Sequence, residues 1–176
     1  KAEGEGGPGS YWTTAYTDGS GMLAEPVAPS RPGMVFALWY ADEACTQRVD
    51  FSQPFETDAT LYGELVPGTR GGTLPTESGT GSAFWALADD GTLYIRGAGK
   101  VSDLGWPNVD IDDTVRESGY WAPYRLDVRK AVMRPGLQAV TTHEWFAGME
   151  NLVDAEQTVV PEGVEETVKM FFKCSS

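Results

Sequence analysis

The residues best equipped for chemistry are few. The chain has two cysteines, Cys45 and Cys174, and a single histidine, His143. A Cys–His pair is a nucleophile beside its base, but the thiol needs an activating surround and the base a third, orienting group. No local signature supplies either, and no Gly-x-Ser-x-Gly elbow offers a serine instead. The cysteines stand 129 residues apart, which excludes a disulfide-dense scaffold. One bridge stays open, and two unpaired, half-buried thiols are the expectation. No cysteine and histidine cluster has zinc spacing. Asn108-Val109-Asp110-Ile111-Asp112-Asp113 sets oxygens at alternate positions, as a calcium loop does. An EF-hand loop then needs Gly at its sixth place and Glu at its twelfth, where this chain has Asp113 and Gly119. The run 108–113 therefore reads as a solvated acidic loop, with a looser calcium site as the alternative. Gly97-x-Gly99 starts a nucleotide fingerprint, but Ser102 stands where its third Gly belongs. A strand ending in a tight turn is the better reading there. No catalytic, cofactor-binding or metal-binding residue is assigned, and no cofactor is expected.

The rings are the other resource. Exposed aromatics make protein and carbohydrate contacts, and small modules also need them to fill a core. Trp39, Trp85 and Trp145 lie in strand or helix patterns and are read as core. Trp106, Trp121 and Trp12 are the candidate contacts, with Trp106 beside Pro107 foremost. Charge narrows the partner: 13 basic against 26 acidic residues leave a net −13. Phosphate binding needs clustered cations, so the acidity argues against nucleic acid and against an anionic membrane surface as partners. No apolar run approaches the ~18 residues of a membrane span, so no membrane insertion is expected. The acidity favours a basic patch on a protein partner.

The 21 Gly and 11 Pro in 176 residues exceed ordinary usage and point to many turns between short strands. Residues 1–10 hold four Gly and no periodicity, a flexible leader. Residues 11–66 form a first unit. Its strands are expected at 11–17, at Val35-Phe36-Ala37-Leu38-Trp39-Tyr40 and at 58–65, with an Asp18-Gly19-Ser20-Gly21 turn. Residues 67–82 carry Gly, Thr, Ser or Pro at 13 of 16 positions and read as a linker. Residues 83–176 form a second unit. It opens on a hairpin, two apolar runs around Asp90-Gly91. Leu126-Asp127-Val128 alternates as a strand. Thr141-x-x-Glu144 fits a capping box, with Trp145, Met149 and Leu152 on one face of a short helix. Thr167 and Met170-Phe171-x-x-Cys174 repeat Thr142 and Trp145-Phe146-x-x-Met149 at an offset of 25, inside the 20–29 range of leucine-rich repeats. Between the two copies the alignment slips by about one residue, so only the aromatic cores carry the match.

Gly33-x-x-Phe36-x-x-Trp39-Tyr40-x-Asp42, then Asp50-Phe51-x-x-Pro54 and Thr60-Leu61-Tyr62, behind Pro26, Pro29 and Pro32, resembles the Listeria–Bacteroides repeat, the internalin B repeat type. Two positions depart from that pattern: Leu38 stands where the family usually has Gly, and Gly63-Glu64-Leu65 replaces the usual Ala-x-Trp. The resemblance implies a β-grasp-like fold over 11–66 and a place in bacterial surface proteins. In the second unit, Trp85-x-Leu87, Asp90-Gly91-Thr92-Leu93-x-Ile95-x-Gly97-x-Gly99, Trp121, Val128 and Val132 resemble the opening of BspA-like leucine-rich repeat proteins. The two aromatic half-units resemble its repeats and the Mycoplasma-type lipoprotein repeat. This implies a cell-surface protein of adhesion or host-contact type and no catalytic residue.

The expectation is thus an α+β, mostly β chain. A small β-grasp-like module precedes a hairpin-led, leucine-rich-repeat-like unit with short helices, truncated within a repeat at 176. The function expected is non-enzymatic contact with a protein on a host or neighbouring cell, outside the cell or attached to its wall. A purely structural spacer is the second reading. A hydrolase, with His143 and Cys45 as its candidates, is the third.

Overall fold

A computed structural model describes residues 13–79, 81–104, 120–134 and 136–174. The leader, Trp12, Trp106 and the acidic run 108–113 lie outside them. Regular structure among the described residues is nine strands and one 3₁₀ turn at Ala122–Tyr124. The chain is mostly β, as expected. Among the described residues the expected short helices are not formed.

The first unit is a two-stranded antiparallel sheet of β1 (Met34–Tyr40) and β2 (Tyr62–Pro67). Over 13–17, the described part of the expected strand 11–17, the chain is exposed and irregular. Aromatic and β-branched content alone does not make a strand without a partner edge. The Asp18 turn does form, with the Gly21 N–H on the Asp18 carbonyl at 3.1 Å. In β1 the register shifts between Phe36 and Trp39. A bulge adds a residue to one strand and so breaks the strict alternation of faces. Phe36 and Trp39 therefore share one core with Leu23, Val49 and Phe51, while Ala37, Leu38 and Tyr40 pack on the other side against Val132. Opposite the bulge, a Cβ on Gly63 would meet the Phe36 ring at 2.8 Å and the Trp39 ring at 3.1 Å. Its bare backbone lets both rings lie across β2.

The second unit is a stack of coils. β3 (Arg70–Leu74), β4 (Ala83–Leu87), β5 (Thr92–Gly97), β7 (Lys130–Met133) and β9 (Asp154–Gln157) form one sheet in that order. β3, β4 and β5 pair antiparallel, and the β4–β5 hairpin turns at Gly91 with φ of 87°. β5, β7 and β9 pair in parallel. β6 (Lys100–Val101) and β8 (Gln138–Ala139) make a second parallel column. Residues 67–82 are thus more than a connection, because β3 lies within them and forms the edge of the sheet. The expected strand at 126–128 is a turn, and β7 begins at Lys130 instead.

The segments read as helices are rows of turns. Glu144 and Lys169 have φ of 57° and 56°, left-handed values that an α-helix of L-residues does not run through. The Thr141 hydroxyl does not cap a helix. It accepts the His143 N–H and donates to the Glu166 carbonyl, both at 3.0 Å, and so ties one coil to the next. The Thr142, Glu144, Phe146 and Gly148 N–H groups donate to the carbonyls of Glu166, Val168, Met170 and Phe172. In a parallel ladder those bonds align each residue with the one after its acceptor. The aligned pairs then keep the offset of 25, and the Phe146 and Phe171 rings stack at 5.1 Å with 18° between planes. The one-residue slip also appears, as an irregularity in the β7–β9 register between Lys130 and Val132.

Candidate functional site

Side chains on a strand alternate between its faces. In β5, Leu93 and Ile95 enter the coil core; in β7, Ala131 and Met133 do the same. Tyr94 and Val132 point the other way and pack against the first unit. Arg96, and Arg134 just past β7, follow the same alternation. The neighbouring pair Ile95 and Met133 is in register, so the two arginines are lateral neighbours on the outer face. Two like charges side by side in a sheet repel each other. Both side chains are buried, at 8% and 2% exposure.

Glu25 of the first unit meets both. Its Oε1 accepts from Arg96 Nη1 at 2.6 Å, and its Oε2 stands 3.5 Å from Arg134 Nη1. Its own side chain is 5% exposed. Arg134 also donates from Nε to the Val49 carbonyl at 3.1 Å, and a second bond runs there from Nη2. Rings close the site: Arg96 lies over Phe36 and Phe84 at 4.7 and 4.6 Å, and Arg134 over Phe51 at 4.4 Å. Burial pulls Arg134 down to about 10, against the pull of Glu25 in the other direction. Burial lowers Arg96 likewise. Both guanidinium groups remain cations at neutral pH.

An open groove of about 310 Å³ runs beside this seam, lined by Val35, Phe36, Gly71, Phe84 and Arg96 among others. Among the described residues that line it, Arg96 alone carries a formal charge, and the rest are apolar or uncharged side chains.

The residues singled out from sequence are scattered. Trp121 is a correction. It is wholly buried, its Nε1 donating to the Trp145 carbonyl at 2.8 Å. It sits edge-on between Trp85 and Trp145 and presents no face to a partner. Trp39, Trp85 and Trp145 are core. Cys45 and Cys174 are both free thiols. Cys45 packs against the seam cluster around Leu38, and Cys174 donates to the Phe146 carbonyl at 3.1 Å in the coil stack. Burial raises both thiols above the ordinary range. His143 Nε2 stands 3.4 Å from Glu144 Oε1, which Lys169 Nζ also approaches at 3.6 Å. No bond joins it to Cys45. Among the described residues no group of three His, Cys, Asp or Glu is placed to hold a metal. None of their helices is long and apolar enough to cross a membrane. Sequence reading missed Glu25. It lies between prolines, and its partners are 71 and 109 residues away, so no local pattern marks it.

These features define a small β module docked on a coil stack. Residues 3–63 match the Listeria-Bacteroides repeat domain. The match starts inside the stretch read as a leader and ends within β2. A repeat of this kind suggests a bacterial surface protein, and nothing indicates catalytic activity. No curated protein and no solved structure matches the chain.

Proposed function

We propose that the chain is a contact segment of a bacterial surface protein, outside the cell or held on its wall, and that it binds a protein on a host or neighbouring cell. The second unit is read as the opening of a leucine-rich-repeat-like array of the BspA type. The observation that carries this reading is the ladder of aligned coils at an offset of 25, crowned by the stacked Phe146 and Phe171. Stacked coils make an extended surface that grows with each copy, and a net −13 favours basic partner patches. Beads coated with the chain are offered to cultured epithelial cells and to bacterial cells. Retention above bare beads, weakening with salt, is the expected result; retention equal to bare beads on both cell types would end the reading.

A second reading, a rigid spacer, is favoured by one observation. Trp39, Trp85, Trp121 and Trp145 are all buried, so the large rings described serve packing. Retention equal to bare beads is the result that favours it.

A further inference from the structure

We propose that the first unit is a latched cover over the outer face of the parallel sheet, with Glu25 as the latch. The sheet face beneath it carries Tyr94 and Val132, and the cover contributes Ala37, Leu38 and Tyr40. These side chains form a small apolar contact, separate from the core of either unit. The contact is crossed by a charge arrangement that is stable only when complete. Arg96 in β5 and Arg134 just past the neighbouring β7 lie side by side, buried. Glu25 is the carboxylate that ion-pairs with both; Asp50 attracts Arg134 from farther off, and Arg48 and Arg96 repel it. A buried cation left without its counter-charge is strongly destabilising, more so when another cation lies next to it. Glu25 resolves the pair only while the cover is seated. Arg134 reaches back across the same seam to the Val49 carbonyl, so the latch has a second prong. With a neutral side chain in place of Glu25, the two arginines gain more from water than from the seam, and the cover lifts. The coil core, which contains neither arginine, keeps its own packing.

The chain holds its own probes. Cys45 packs, partly buried, at the seam, and Cys174 is partly buried in the last coil. Alkylation with iodoacetamide, read by mass spectrometry at each thiol, separates cover opening from loss of the stack. In Glu25→Gln, Cys45 should react severalfold faster while Cys174 keeps its rate. An unchanged Cys45 rate, or equal acceleration at both thiols, would overturn the latch. Should that variant not fold, the unaltered chain in rising urea decides. Measured against its own rate in the folded chain, Cys45 alkylation should begin to quicken at lower urea than Cys174 alkylation; the two quickening together would overturn the proposal. Neither readout involves a binding partner, so the result is independent of the function proposed above.

Discussion

In the coil stack, Trp85, Trp121 and Trp145 stand edge to face at 6.2 and 5.8 Å, each supplied by a different turn of the chain. In the first unit, Phe36 and Trp39 touch at 4.9 Å from one strand, and a bulge is what brings them to the same side. The stack repeats one local solution, so a ring in one coil is packed by its counterpart in the next. The first unit has two strands, too few for independent stability by the ordinary measure of sheets. It completes itself with a loop-built core and with the outer face of its neighbour. Periodic packing thus makes a region that stabilises itself. Aperiodic packing makes one that depends on a seam.

The largest effect that would break this contrast lies in the stack. Trp121→Ala empties the middle of the edge-to-face column, and a loss of about 3–5 kcal/mol is expected for such a cavity. Urea denaturation followed by tryptophan fluorescence measures it, and a loss under ~1 kcal/mol would mean that the coils do not lean on one another. A smaller change sharpens the other side. Gly63→Ala forces a methyl against Phe36 and Trp39, with about 1–3 kcal/mol expected for overpacking. Amide exchange should quicken in β1 and β2 while β5, β7 and β9 keep their protection. The smallest effect belongs to the seam. Burial is the main cause that holds Tyr94 up to about 12, from an ordinary 10.0. A raised phenol binds its proton more tightly in the folded state, so its contribution is complete below pH 10 and is lost as pH rises through about 12. The urea midpoint should fall across that window, and Tyr94→Phe should flatten the fall.

Much of this architecture was legible along the chain, for a physical reason. Period and turn chemistry are local. Asp90-Gly91 announced its hairpin because a positive φ there needs Gly, and the aromatic half-units announced their offset because stacked coils repeat their own rings. β1 was clear from its apolar run. The helices failed because a capping box and an inter-coil tie use the same residues: Thr141 bonds across to Glu166, and Glu144 turns left-handed. β3 was hidden because Gly and Thr carry no apolar alternation, yet an edge strand needs only backbone to pair. Trp121 reads as irregular in sequence because its partners are a coil away. Glu25 was invisible for the same reason on a longer scale.

Tyr120, Glu144 and Lys169 have φ of 63°, 57° and 56°, each directly before a buried ring or Met170. A backbone that resets its handedness at the same point of each circuit makes the circuits interchangeable. Gain or loss of a complete circuit then leaves every remaining neighbour in register, whereas a single added residue must be absorbed as a local kink.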